Sequence, residues 1–338
     1  MTETLDHMIG CNGAGSPLRP ASDLTLDLVN RLLAVALQGR SVVAFELLSG
    51  GLINTNFKIH VEAMNDPFVL RFYARDPDAC QKEIDLYQLI QRTVPAPEVV
   101  YGDPGGHEGA GPFVLLRYVE GIPFRQLRQT RDADAIAQAA CEIGKTLAAI
   151  GKYQFSESGW FGPGLAIGGE FIEGPDSIAR FCDTCLASPN FLRRVERGLA
   201  RRVHEFAWKW SPRLSWLDDE RSLVHSDFGS RNVLVRQVSE KWRVAAVIDW
   251  EFAFSGSPLF DVGNFLRYER KQRPLVEPHF SRGFVAGGGT LREDWRALAR
   301  VIDLTALCEH FTRDQLPPDV KSELLELVRA TIEDRDPS

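Results

Sequence analysis

Apolar residues change their spacing along this chain. Residues 42–48 (Val-Val-Ala-Phe-Glu-Leu-Leu), 56–61 and 67–72 are short, alternating or β-branched runs that predict strands. Residues 78–92 interrupt them with helical spacing, carried by Ile84, Tyr87, Leu89 and Ile90, and residues 98–101 and 113–119 predict two further strands. Ahead of this region, Leu24, Leu28, Leu32, Val35 and Ala36 predict a helix over 24–37 with Asp23 as its cap. From residue 132 onward the period is mainly helical, over 132–151, 176–187, 190–209, 292–312 and 318–332. The exception lies around 222–250, where Val233–Val235 and Val244–Ile248 flank a polar turn at 237–241 and predict a hairpin. The pattern is a small β-rich lobe followed by a larger helical lobe, an α+β organisation. The expected boundaries are an N-terminal tail over 1–22, rich in Gly and Pro, an N-lobe over 23–119 and a C-lobe over 120–338.

Composition changes this picture little. At 338 residues the chain exceeds what one core usually fills, which agrees with two lobes. An apolar fraction of 44% and a charged fraction of 25% are those of an ordinary globular protein. A formal net charge of −7 argues against a protein built to hold nucleic acid and would suit a cationic small molecule. No secretory leader pattern is visible, and no apolar run approaches the ~20 residues of a membrane span, so a cytoplasmic protein without membrane contact is expected. The six cysteines are scattered; Cys182 and Cys185 form one CxxC, but they share a helical stripe with Ile178 and Phe181, so packing accounts for them. A reducing compartment fits.

Candidate chemistry concentrates in one stretch, Leu223-Val224-His225-Ser226-Asp227-Phe228-Gly229-Ser230-Arg231-Asn232. Its skeleton, H-x-D-x-x-x-x-N, has the spacing of a kinase catalytic loop, and the hairpin after it ends in Ile248-Asp249-Trp250-Glu251. Phosphoryl transfer asks the protein for a positioned acceptor hydroxyl and for cations around the triphosphate. Asp227 is the expected base, while Asn232 and Asp249 supply hard oxygen donors for Mg²⁺. Asp and Asn are also common turn residues, but the ordered set His225, Asp227, Asn232 and Asp249 is hard to reach by turn preference alone. In the small lobe, Ser49-Gly50-Gly51 would let backbone N–H groups approach phosphates. Arg71 would pair the α- and β-phosphates, and Glu83 on the next helix would hold Arg71.

These residues resemble the aminoglycoside phosphotransferase and choline kinase family, whose members share the protein-kinase-like two-lobe fold. The resemblance covers nearly the whole chain after the tail and is strongest over 223–268, through His225-Ser226-Asp227, Asn232, Ile248-Asp249-Trp250-Glu251 and Gly256-Ser257-Pro258-Leu259-Phe260-Asp261. It implies Asp227 as catalytic base, Asn232 and Asp249 as magnesium ligands, and ATP or GTP as co-substrate. It also implies that His225 is structural, that Asp261 braces the catalytic loop, and that Arg117 and Val119 in the hinge over 113–121 hold the base of the nucleotide. The chain departs from the pattern in carrying Arg71 for the commoner lysine and Ser226 for the commoner glycine. Few residues separate Asp249 from Asp261, which leaves no room for a segment on which a polypeptide substrate could lie.

The acceptor is less legible. An aminoglycoside-like polycation would call for carboxylates, for which Glu170, Glu173, Asp176, Glu269, Asp303, Glu309 and Asp314 are available. Choline would call for an aromatic cage, for which Trp160, Phe161, Trp208 and Trp210 are available. The expected activity is transfer of a γ-phosphoryl group to a hydroxyl of a small, cationic acceptor. The alternatives are a metabolite kinase acting on homoserine, choline, methylthioribose or a sugar, and a silent nucleotide-binding protein on the same fold. The sequence sets neither the oligomeric state nor the choice of nucleotide.

Overall fold

The computed structural model describes residues 24–48, 54–73, 76–169 and 176–333; the expected tail and the Ser49-Gly50-Gly51 segment lie outside them. The first helix, α1 (Leu26–Leu33), buries Val29, Leu32 and Leu33. It is shorter than its apolar spacing predicts: after Leu33 the helical ladder gives way to tighter turns, with the Ala34 N–H donating to the Arg31 carbonyl at 3.4 Å and the Gln38 N–H to the Val35 carbonyl at 3.3 Å. Its cap is Thr25, whose hydroxyl accepts the Leu28 N–H at 3.2 Å, not Asp23.

Strands β1 (Val42–Leu47), β2 (Thr55–Val61), β3 (Phe68–Phe72), β4 (Val99–Asp103) and β5 (Phe113–Arg117) form one antiparallel sheet in the order β1-β2-β3-β5-β4, with helix α2 (Asp78–Ile90) inserted before β4. Side chains alternate across a strand, and β5 shows the consequence. Phe113 and Leu115 join Phe57, Ile59 and the α1 residues in a small outer core. Val114 and Leu116 face the other way, into the main core with Ile84 and Tyr87 of α2. A strand buried on both faces reads as a continuous apolar run, as Phe-Val-Leu-Leu does here.

The remainder follows as β6 (Ile122–Pro123), α3 (Phe124–Gln129), α4 (Ala133–Ile150), β7 (Gly159–Phe161), β8 (Ile167–Gly169), α5 (Ser177–Leu186), α6 (Pro189–Arg194) and α7 (Arg197–Trp210). Then come β9 (Ser222–Val224), β10 (Val233–Val238), β11 (Lys241–Val247), β12 (Phe254–Gly256), α8 (Leu259–Leu266), α9 (Glu277–Ala286), α10 (Trp295–His310) and α11 (Pro318–Glu333). The single helix expected over 190–209 is two helices. Val195 and Glu196 are extended between them, and Arg194 anchors the break by donating to the Phe311 carbonyl at 2.9 Å and the Asp314 carbonyl at 2.7 Å. Two extended residues are too few to disturb the apolar period, so the break leaves no sequence signal.

The β10–β11 hairpin is as expected but tighter. Ser239 and Glu240 alone form the turn, both at positive φ (48° and 64°), the geometry that matches strand twist in two-residue hairpins. Two further sheets, β11-β10-β6 and β8-β7-β12-β9, were not apparent in the apolar pattern because their added strands are two or three residues long.

Helices α4 and α9 cross at glycines. A Cβ on Gly144 would stand 2.1 Å from the Phe280 carbonyl oxygen, and one on Gly283 would stand 2.0 Å from that of Cys141. Neither helix can admit a side chain there without separating from the other. Gly283→Val is therefore expected to lower the unfolding free energy by about 3 kcal/mol. Urea denaturation checks this, and an unchanged midpoint would show that the crossing tolerates separation.

Candidate active site

Three short connections bring the candidate residues together. Strand β9 ends directly into His225, Ser226 and Asp227; Asn232 immediately precedes β10; Asp249 follows β11. Because Val233 pairs with Val247 across the hairpin, Asn232 and Ile248 are neighbours, and the Ile248 N–H donates to the Asn232 carbonyl at 3.0 Å. The hairpin thus sets Asn232 beside Asp249 although 16 residues lie between them in sequence.

The loop after β9 is held from below by Asp261 on α8. Its two carboxylate oxygens accept the N–H groups of His225 and Ser226, each at 2.8 Å. Burial pushes Asp261 up to about 7, against the pull of those two donors. The expected brace is present. His225 is fully enclosed: its Nε2–H donates to the Ile248 carbonyl at 3.0 Å, and its Nδ1 accepts the Asp227 N–H at 3.2 Å. Burial lowers it to about 4, so it is a neutral strut with both nitrogens occupied and has none left for a substrate. Ser226 adopts φ 71°, in the left-handed region, which explains physically why glycine would be the commoner residue at this position.

Asp227 is half-buried at the mouth of the loop. Asn232 Nδ2 donates to its Oδ2 at 2.8 Å and to its backbone carbonyl at 3.0 Å. Among the described residues no donor reaches Oδ1, which can take up a proton. Burial and then the charge of Asp249 raise Asp227 above the ordinary carboxylate range, which makes it a better proton acceptor than a free aspartate. With its nitrogen turned to Asp227, Asn232 presents its Oδ1 away from that carboxylate.

The small lobe supplies a buried cation. Arg71 Nε lies 3.0 Å from Glu83 Oε2, in contact but out of line for a hydrogen bond, so the expected ion pair is formed. Arg71 Nη2 reaches Asp249 Oδ1 at 2.5 Å and stands 3.7 Å from Glu251 Oε1. Burial would lower the guanidinium, but Glu83, Asp249 and Glu251 together raise it well above its usual value and keep it charged. Asp249 shows the reverse balance: burial raises it, and Arg71 brings it below the usual carboxylate range. Glu83 is fully buried, accepting from the Tyr73 hydroxyl, from the Tyr87 hydroxyl at 3.3 Å and from the Trp250 N–H at 2.9 Å. It therefore fixes Arg71 and the loop after β11 together.

Asn232 Oδ1 and the Asp249 carboxylate are hard oxygen donors at one end of the hairpin, the kind of partial set that suits magnesium, which keeps waters and takes further oxygens from phosphates. Among the described residues no group of three or more His, Cys, Asp or Glu side chains is arranged to hold a metal, so these residues build no closed protein cage.

Other candidates fare differently. Of the hinge pair, the Arg117 N–H is already given to the Glu98 carbonyl at 2.9 Å and its side chain to Glu98 Oε2 at 2.7 Å. The Val119 N–H has no such partner among the described residues, so Val119 alone keeps an amide for a base edge. The acids expected to meet a cationic acceptor are engaged internally. Asp303 takes a forked bond from Arg267 at 2.7 and 2.9 Å, Glu309 takes one from Arg313 at 2.8 and 3.1 Å, and Glu269 accepts the N–H groups of Val276 and Glu277 at 2.6 and 2.9 Å. Asp176 accepts from Ser211 at 2.6 Å and Asp314 from Asn190 at 3.3 Å, while Glu170 and Glu173 lie outside the described residues. The four aromatics do not form a cage: Trp160 packs on Phe254 and Phe161 on Phe155, whereas Trp208 bonds Asp183 and Trp210 packs with Phe206. Cys182 and Cys185 are buried free thiols, as packing requires.

Two site residues escaped the sequence reading. Asn54 Nδ2 donates to Glu251 Oε2 at 2.8 Å, with both side chains buried. Burial and the charge of Asp249 push Glu251 up to about 8, opposed by Arg71 and Asn54. Glu251 follows Asp249 by two, which was the one signal available for it; Asn54 had none.

The model of the phosphotransferase enzyme family matches residues 44–301. Hygromycin-B 4-O-kinase of Escherichia coli is 29% identical over 194 residues, 55% of this chain and 52% of that protein. The chain thus spans about half the length of this curated relative. Among solved structures, aminoglycoside phosphotransferase APH(4)-Ia superposes with a TM-score of 0.68 at 20% identity, covering 92% of this chain and all (100%) of that one. The APH(2")-IIia complex with GDP and kanamycin superposes with a TM-score of 0.66 at 18% identity, covering 92% and 100% of the two chains. At these identities the superpositions establish the protein-kinase-like fold, a β-sheet N-lobe with a helical C-terminal part.

Proposed function

The chain belongs to the phosphotransferase enzyme family, and from that premise we propose that it is a small-molecule kinase moving the γ-phosphoryl group of ATP or GTP to a hydroxyl. In this reading residues 23–119 hold the nucleotide, and residues 120–338 supply the catalytic loop and the acceptor site. The observation that carries it is the convergence of Asp227, Asn232, Asp249 and Arg71, drawn from three sequence regions into one hydrogen-bonded cluster. Asn232 and Asp249 would hold magnesium, which when bound neutralises charge on the triphosphate. Asp227 Oδ1 accepts the acceptor's hydroxyl proton while Asn232 fixes the carboxylate, so that the oxygen is aimed as it loses the proton. Arg71, steadied by Glu83, meets phosphate oxygens, and arginine's fork does this as well as the commoner lysine. The Val119 amide reads the base edge. The cytoplasmic location expected from the sequence agrees with a nucleoside triphosphate requirement.

An antibiotic of the aminoglycoside class is the acceptor suggested by the relatives, one a hygromycin-B kinase and another a phosphotransferase in complex with kanamycin. A metabolite kinase acting on a neutral polyol is the second reading. It is favoured by the engagement of every described candidate acid with a partner in the protein, Asp303 and Glu309 each with an arginine. The test is ADP or GDP release with Mg²⁺ against a panel of hygromycin-like and other aminoglycosides, choline, homoserine and simple sugars. One acceptor class should raise release at least about tenfold over the acceptor-free rate. Equal release with every acceptor, from a protein that binds nucleotide, would instead mark a silent kinase fold.

A further inference from the structure

Asn54 stands at the root of β2, immediately before Thr55, and its side chain reaches across to the loop after β11. The 2.8 Å bond from Asn54 Nδ2 to Glu251 Oε2 spans 197 residues of sequence and joins two side chains only 6% and 8% exposed. A buried amide and a buried carboxylate that satisfy each other are fixed in place, because either alone would carry the full cost of lost hydration. Glu251 continues the line: its Oε1 lies 3.7 Å from Arg71 Nη2, the same nitrogen that bonds Asp249 at 2.5 Å. Arg71 Nη2 is thus shared between two carboxylates, and both belong to the loop after β11.

We infer that Asn54 is a positioning residue of the nucleotide site, acting through Glu251 to set where Arg71 and Asp249 stand. Glu251 held by Asn54 is kept from turning fully onto Arg71, so the guanidinium stays with Glu83 and Asp249 and keeps its remaining N–H groups for phosphate. Without the amide, the Glu251 carboxyl group is free to close the 3.7 Å gap, its oxygen accepting from Arg71 in either protonation state, and draws the guanidinium off that position. The inference rests on the kinase reading, in which phosphates meet Arg71 and Asp249.

A double-mutant cycle tests it, with Asn54→Leu, Glu251→Leu and the pair, each read by calorimetric titration with ADP and Mg²⁺ and by thermal unfolding to confirm that the variant is folded. Asn54→Leu should weaken ADP binding about tenfold in the wild-type background and less than about threefold once Glu251 is leucine. In turnover assays it should raise the nucleotide KM while leaving kcat and the acceptor KM within about threefold, a split that a general loss of stability does not produce. The same loss in both backgrounds would overturn the inference and leave the kinase reading intact. A wild-type protein that binds no nucleotide would overturn both.

Discussion

Alanine in place of Asp227 should lower turnover by about a thousandfold while leaving nucleotide affinity within about threefold. The reasons are geometric. Asp227 contributes one carboxylate oxygen, Oδ2, to a bond from Asn232 and keeps the other clear of protein donors among the described residues. It does not touch Arg71, which takes Glu83, Asp249 and Glu251 instead. Removing the carboxylate should therefore take away the proposed proton acceptor and leave Arg71, the proposed phosphate-binding cation, as it was. His225 cannot substitute, because both ring nitrogens are occupied and the ring stays neutral near physiological pH. The measurement is coupled ADP release beside calorimetric ADP binding. A variant that lost nucleotide affinity and kept its rate would assign Asp227 to binding and remove it as the base.

Asp249→Ala should fail in the opposite way. It should weaken binding of Mg²⁺-ADP by on the order of a hundredfold and remove most of the dependence of that binding on Mg²⁺. Asp249 is the one carboxylate at 2.5 Å from Arg71 Nη2 and the one carboxylate directly beside Asn232 in the hairpin register. Its loss would delete one of the two proposed metal donors and leave Arg71 to Glu83 and Glu251, so the guanidinium should shift as well. ADP titrations with and without Mg²⁺ read the difference. A variant whose affinity responds to Mg²⁺ as the wild type does would place the metal elsewhere.

The contrast between what was and was not legible follows the length of the contacts. Asp227 and Asn232 lie five residues apart, and a side chain of one meets the other within the loop. Asp249 follows a hairpin whose apolar strands announce it. Glu83 and Arg71 are joined by a single connection from β3 to α2, and their order along the chain was enough to pair them. By contrast, nothing near Asn54 in the sequence marks it for Glu251, and nothing near Asp303 marks it for Arg267, 36 residues earlier. Polar pairs of this kind carry no periodicity, so they cannot be read from a pattern.

By itself, then, the sequence determined the β-rich lobe with its inserted helix, the H-x-D-x-x-x-x-N spacing, the hairpin and the expectation of phosphoryl transfer drawn from them. These are local: alternating or helical apolar spacing selects an element, and motif residues a few positions apart are placed by the element that carries them. Only the tertiary structure decided that Asp303 and Glu309 are tied to arginines and Glu269 to backbone amides, that Arg117 gives its amide to Glu98 while Val119 keeps its own, and that α4 and α9 meet on Gly144 and Gly283. It also decided that Asn54 meets Glu251 beside Arg71. Each of these depends on which distant segments meet. Packing settles that through burial, which forces every enclosed charge and amide to find a partner wherever the fold places one.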